Sequence, residues 1–134
     1  MKKINSICII DDDPITIFGI RKILTTLDVC DHIITYENGK IAIDGIKDSL
    51  AQGKKMPEII FLDINMPIMD GWQFLEEFIA LPIKEKIRIN IVTSSIDPHD
   101  KKQSEFYRLQ THHIIEYKNK PVSKTEIAEI TKAA

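Results

Sequence analysis

A group of aspartates, one threonine and one lysine carry the chemistry that this sequence could perform. Asp11, Asp12 and Asp13 follow the apolar run Ile7-Cys8-Ile9-Ile10, and Asp63 follows Glu58-Ile59-Ile60-Phe61-Leu62. Thr93 closes the run from Ile87 to Val92, and Lys120 precedes Pro121. Carboxylates held within a few ångströms of one another repel, and a cation relieves that repulsion. The donors on offer are hard oxygens. The two cysteines, Cys8 and Cys30, make no metal spacing, and the four histidines (His32, His99, His112 and His113) lie elsewhere. Such a set suits Mg²⁺, which takes a few carboxylates, keeps waters and reserves positions for phosphate oxygens. Lys120 offers a compact positive charge and Thr93 a hydroxyl, together able to hold the oxygens of a phosphoryl group. A carboxylate beside the metal can itself be the nucleophile and become an aspartyl phosphate. Catalysis is then alignment plus charge neutralisation.

Each residue alone has a plainer role. Asp13 before Pro14 reads as a helix N-cap with proline at the first helical position. One cap uses only one of the three adjacent carboxylates, which leaves Asp11 and Asp12. Asp63 alone is a strand-ending turn residue, Lys120 a solvated lysine, Thr93 a strand residue. Only their joint placement is informative, and that depends on the elements around them.

Those elements alternate. Ile4 to Ile10 is an apolar, β-branched strand, and Pro14 starts a helix along which Phe18, Ile20, Ile23, Leu24 and Leu27 recur at roughly helical spacing. His32 to Tyr36 is a second strand. Asn38-Gly39 caps a helix with Ile41, Ile43, Ile46 and Leu50, ending near Gly53. Glu58 to Leu62 is the third strand, and Asp70-Gly71 opens a helix with Phe74, Leu75, Phe78 and Ile79 that Pro82 ends. Ile87 to Val92 is the fourth strand, followed by the Asp97-Pro98 cap. Ile114 to Tyr117 is the fifth, and Ser123-Lys124-Thr125-Glu126 is a capping box for the last helix. Strictly alternating strands and helices imply a parallel sheet covered on both faces. The near-continuous Ile and Val runs fit strands buried on both sides. The chain is too short for an eight-fold barrel, so an open doubly wound sheet is expected. In such a sheet every strand ends on the same edge, where ligands bind. Asp11, Asp12, Asp63, Thr93 and Lys120 all follow strand ends and so converge.

A length of 134 residues, 43% hydrophobic and 28% charged, is that of one globular domain and excludes a disordered or collagen-like chain. A net charge of −2 argues against a nucleic-acid binder. No apolar run approaches the ~18 residues of a membrane span. Met1-Lys2-Lys3 imitates the start of a signal peptide, but the aspartates end the apolar stretch at once. Both cysteines read as reduced core thiols, and the expected location is the cytoplasm.

At these residues the sequence resembles the receiver domain of two-component response regulators. The likeness is carried by Ile9-Ile10-Asp11-Asp12-Asp13-Pro14, by Phe61-Leu62-Asp63-Ile64-Asn65-Met66-Pro67-Ile68-Met69-Asp70-Gly71, by Ile91-Val92-Thr93-Ser94 and by Lys120-Pro121, in that order along the chain. It implies an α/β, flavodoxin-like, doubly wound (βα)5 three-layer sandwich with sheet order 2-1-3-4-5. Residues 1–134 would form one receiver domain, with no output domain. Asp63 would be the phosphoacceptor. Asp12 would bind Mg²⁺ directly together with Asp63, Asp11 through water, and Asn65 through its backbone carbonyl. Thr93 would bond to the phosphoryl oxygen and move, Lys120 would pair with the phosphoryl group, and the peptide before Pro121 would be cis. Tyr117 would be the aromatic switch. The resemblance further implies a sensor histidine kinase or phosphotransfer protein as donor, a downstream protein as reader, and a monomer or weak dimer that is not itself a general enzyme.

Three rivals are weaker. An Mg²⁺-dependent phosphohydrolase would want a second aspartate in place of Asn65 and a cap over the site. A flavin- or nucleotide-binding module would want a Gly- or Ser/Thr-rich loop where the three aspartates stand. A scaffold receiver that is never phosphorylated would not need the intact acidic set, Thr93 and Lys120. Among the remaining residues, Trp72 and Phe74 read as core or rim, and His112-His113 as a solvated pair. Lys84, Lys86, Arg88, Lys101 and Lys102 read as surface charge balanced by Glu85 and Asp100.

Overall fold

The computed structural model describes residues 3–132. The elements run β1 (Ile7–Ile10), α1 (Pro14–Leu27), β2 (Ile33–Tyr36), α2 (Gly39–Ala51), β3 (Ile59–Leu62), α3 (Gly71–Ile79), β4 (Arg88–Thr93), α4 (Pro98–Arg108), β5 (Ile114–Asn119) and α5 (Lys124–Lys132). The strands form one parallel sheet in the order β2-β1-β3-β4-β5. This is the expected doubly wound, flavodoxin-like topology. Met1, Lys2, Ala133 and Ala134 lie outside the described residues, and with them parts of the readings of the two termini.

Two apolar clusters cover the two faces of the sheet. One unites Cys8, Ile10, Ile60, Leu62, Ile89 and Ile91 with Ile43 and Ile46 of α2, Phe74, Leu75 and Phe78 of α3, and Tyr107 of α4. The other unites Ile7, Ile9, Ile59, Phe61 and Val92 with Ile20 and Leu24 of α1 and Ile127 and Ile130 of α5. Successive strand residues point to opposite faces, so a strand such as Ile7-Cys8-Ile9-Ile10 feeds both clusters. Cys8 and Cys30 are buried free thiols, one in each cluster.

The caps form as their residue types demand. Asp13 accepts from the Ile15 N–H at 3.0 Å and Asp97 from the His99 N–H at 2.9 Å. Asp70 and Gln73 close a reciprocal box, as do Ser123 and Glu126.

Several boundaries differ from the sequence reading. Ile4 is not part of β1. It forms an isolated bridge with Cys30, because the Asn5 N–H is taken by the Glu58 carboxylate rather than by a ladder carbonyl. Helix α3, by contrast, ends as expected, with Ile79 its last residue and Ala80 its cap ahead of Pro82. Strand β5 runs on to Asn119, because Lys118 and Asn119 still pair with Val92 and Thr93. Arg88 is not simple surface charge: it is partly buried and lies 2.8 Å from Glu116.

His113 is the clearest correction. His112 is exposed, but His113 is only 4% exposed and its ring packs 5.2 Å from that of Phe78. Its Nδ1 accepts the Ile87 N–H at 2.9 Å, a role open only to an unprotonated nitrogen. Burial, reinforced by the neighbouring His112 charge, lowers its pKa from 6.5 to about 4. A group whose folded pKa lies below its unfolded value adds stability that is complete above about pH 6.5. That stability is lost as pH falls toward 4. At about 1.4 kcal/mol per unit the loss approaches roughly 3 kcal/mol. Urea unfolding at pH 7 and at pH 4.5 should therefore show a larger drop for the wild type than for His113→Asn. Equal drops would remove His113 from this role.

Candidate functional site

The site is built where β1, β3, β4 and β5 end. Asp11 leaves β1 with its side chain 2% exposed by residue. One carboxylate oxygen accepts the Asp13 N–H at 2.9 Å, and the other lies 3.0 Å from Lys120 Nζ. Asp63, 6% exposed, leaves β3; its Oδ1 accepts its neighbour's N–H, that of Ile64, at 2.9 Å and stands 3.6 Å from Lys120 Nζ. Asp12 is exposed. Asp11, Asp12 and Asp63 each present an oxygen, and these oxygens lie within 4.8 Å of one another. Asp13 points away, committed to Ile15 N–H and Thr16 Oγ.

The electrostatics follow from that crowding. Burial, and then the charge of Asp11, push the Asp63 carboxyl up to about 6, although Lys120 pulls against them. Burial also raises Asp11, with its bonds to Asp13 and Lys120 opposing. For Lys120 burial favours the neutral amine, but the hydrogen bond to Asp11 and the charges of Asp11 and Asp63 outweigh it, and its pKa is raised. Two buried carboxylates and one exposed one, with a lysine among them, form an oxygen donor set that fits Mg²⁺.

The other expected residues fall around this cup. Thr93 is fully buried; its Oγ accepts the Ser95 N–H at 3.0 Å, and its carbonyl accepts the Lys120 N–H at 2.8 Å. The Lys120–Pro121 peptide is cis. Asn65 is exposed on the loop after Asp63. Tyr117 is half-buried against the cluster under α2, α3 and α4, and burial raises its phenol pKa, aided by the charge of Asp100.

The loop from Asp63 to α3 is held at very close range. The Gly71 N–H bonds to the Ile64 carbonyl at 2.8 Å, and a Cβ at position 71 would overlap the Asp63 carbonyl oxygen. Ile68, 81% exposed, adopts φ 72°, a left-handed conformation that costs a β-branched residue free energy.

One cluster escaped the sequence reading. Ser95 donates its hydroxyl to Asp100, which also accepts from Trp72 Nε1 at 3.2 Å, while Asn119 Nδ2 donates to the Ser95 carbonyl at 3.0 Å. Asp100 is thus tied inward and does not simply balance surface lysines. The only local signal was an acid in the first turn of α4, which a helix dipole explains equally well.

The profile of the response regulator receiver domain matches residues 7–132. An uncharacterized response regulatory protein of Vibrio cholerae is 28% identical over 119 residues, covering 88% of this chain and 40% of that protein. The chain therefore spans about two fifths of the length of that relative. A two component response regulator from Cytophaga hutchinsonii superposes with a TM-score of 0.83 at 29% identity, over 98% of this chain and 97% of that one. The Mn²⁺-bound form of response regulator Rcp1 superposes with a TM-score of 0.72 at 19% identity, over 96% of this chain and 90% of that one. That second likeness is one of fold.

Proposed function

Since this chain belongs to the family of response regulator receiver domains, we propose that it takes a phosphoryl group onto Asp63 and passes the change to a protein partner. The observation that carries this reading is the meeting of Asp11, Asp12 and Asp63 within 4.8 Å, with Lys120 Nζ 3.0 Å from Asp11 and 3.6 Å from Asp63. Asp11, Asp12, Asp63 and the Asn65 carbonyl are the groups that would hold Mg²⁺. Bound there, the cation supplies charge neutralisation for the carboxylates and the incoming phosphoryl oxygens.

The steps belong to the chain's own residues. An Asp63 oxygen forms its bond to phosphorus while the bond from phosphorus to the donor's histidine nitrogen breaks, its electron pair leaving on that nitrogen. Lys120 and the Thr93 hydroxyl hold the phosphoryl oxygens. Thr93 turns toward them, and Tyr117 follows inward, reshaping the surface of α4, β5 and α5. Moving a balance from 1:99 to 99:1 requires about 5.5 kcal/mol of differential stabilisation, which the added charge on Asp63 and the partner supply together.

The donor is a sensor histidine kinase or a phosphotransfer protein. Ile15, Ile68 and Ile96 are exposed on the stretches that follow β1, β3 and β4, the edge of the sheet at which the site is built, and apolar side chains exposed there suit protein docking rather than a small-molecule substrate. Residues 1–134 act as one receiver unit, a monomer or weak dimer in the cytoplasm. The test is intact-mass and peptide analysis after incubation with acetyl phosphate, with and without Mg²⁺. One Mg²⁺-dependent phosphoryl adduct on the peptide containing Asp63 is expected. An adduct elsewhere, or none, overturns the reading.

A further inference from the structure

We infer that Asp100, with Trp72, is a clasp that holds the β4–α4 loop in its unphosphorylated arrangement and so sets how readily Asp63 is occupied. The inference rests on Asp63 being the phosphoacceptor. Ser95 is the hub: its N–H goes to Thr93 Oγ at 3.0 Å, its hydroxyl to Asp100, and its carbonyl receives Asn119. The Asp97 N–H adds a 3.2 Å bond to the Ser95 hydroxyl. Asp100 carries the connection across to α3, accepting the Trp72 indole N–H at 3.2 Å. The indole also stacks on Tyr107 of α4, with ring centroids 6.0 Å apart and planes 16° from parallel.

The chemistry of the groups gives the clasp its direction. The Thr93 oxygen already accepts from the Ser95 N–H, so Thr93 cannot swing toward a phosphoryl oxygen without lengthening that bond or drawing the Ser95 end of the loop with it. The loop is then held back by the Ser95 hydroxyl on Asp100, by Asp100 on the indole and by Asn119 on the Ser95 carbonyl. A carboxylate only accepts and an indole N–H only donates, so both are matched here and neither can exchange roles in a new arrangement. Bonds made in one state and lost in the other bias the equilibrium toward the first. The same bias weakens phosphoryl binding, because coupling between sites is reciprocal. Asp100 touches no reacting atom. It acts through Ser95 and Thr93 as a positioning residue.

The test uses the whole chain with Mg²⁺ and beryllofluoride, a phosphoryl mimic, followed by fluorine NMR of bound fluoride. Trp72 is the only tryptophan, so its emission reports the clasp separately. Wild type should bind with a change in tryptophan emission. Trp72→Phe, which keeps a ring against Tyr107 but no donor, and Asp100→Ala should each bind about tenfold tighter, or about 1.4 kcal/mol. The double variant should bind no tighter than the tighter single one, since both break one linkage. If Asp100→Ala fails to fold, Asp100→Asn and Trp72→Phe carry the comparison. A merely structural role would leave binding equal or weaker. Variants that bind no tighter than a binding-competent wild type overturn the clasp and leave the Asp63 reading intact. Absence of Mg²⁺-dependent binding by the wild type overturns both.

Discussion

Asp63→Asn is expected to abolish phosphoryl uptake and at the same time to make the metal-free fold more stable. The loss is total because the amide has no carboxylate oxygen to attack phosphorus. The gain comes from the crowding that makes the site useful. Asp63 titrates at about 6 instead of 3.8, chiefly because it is buried and then because Asp11 is near. A folded pKa above the unfolded one means that the native state binds the extra proton between those values. Stability therefore falls as pH rises through the window from about 4 to about 6, and the full penalty stands at pH 7. At about 1.4 kcal/mol per unit the penalty approaches roughly 3 kcal/mol, with 1–3 kcal/mol a realistic range for recovery. Thermal melts in EDTA should place Asp63→Asn above the wild type at pH 7, with the gap closing toward pH 4. A variant that melts at or below the wild type at pH 7 would refute the account. The His113 window overlaps this one with opposite sign, so the wild type's net pH profile should be flatter than either contribution alone.

Gly71→Ala is expected to cost about 3 kcal/mol and to disturb Asp63 directly. The first residue of α3 approaches so closely that a methyl group at position 71 meets the Asp63 carbonyl oxygen and, at 2.8 Å, the Ile64 Cα. These are backbone atoms, which cannot swing aside as a flexible side chain would, so the chain around the phosphoacceptor must shift. Gly19 in α1 is the matched control: a Cβ there meets nothing within 4 Å. Gly19→Ala should raise stability by about 0.5–1 kcal/mol through helix propensity, and labelling of Asp63 should be unchanged. If Gly71→Ala melts within a few tenths of a kcal/mol of wild type and still labels, the close contact has no such importance.

These contrasts show what could be read from the sequence. Strand ends at Asp11, Asp63 and Thr93 were legible because apolar runs stop abruptly at polar residues, and a parallel sheet then forces those ends onto one edge; the end before Lys120 was less so, since β5 runs past its apolar stretch to Asn119. Caps at Asp13, Asn38, Asp70 and Asp97 were legible because each is a local hydrogen bond. Contacts between distant elements were not. Nothing in His112-His113 distinguishes the exposed ring from the one placed under Phe78 with its nitrogen on Ile87. Asn90, fully buried in β4 with neither carboxamide atom bonded among the described residues, looks like a break in an apolar run until its neighbours are known. The Ser95–Asp100–Trp72 linkage joins three elements, and each residue has an ordinary local explanation. Ile68 in a left-handed conformation was equally hidden, since isoleucine gives no turn signal.

The placement of the two thiols makes the molecule its own record of how it comes apart. Cys8 belongs to the layer under α2, α3 and α4, and Cys30 to the layer under α1 and α5. Cys8 is closed in on every side, so an alkylating reagent reaches it only when the helices of its layer lift away, whereas Cys30 borders a surface recess beside Arg21, Thr25 and Asp28 and needs only a local opening. Slow modification of Cys8 therefore reports how often the coat of α2, α3 and α4 is shed, with Cys30 as the faster internal reference.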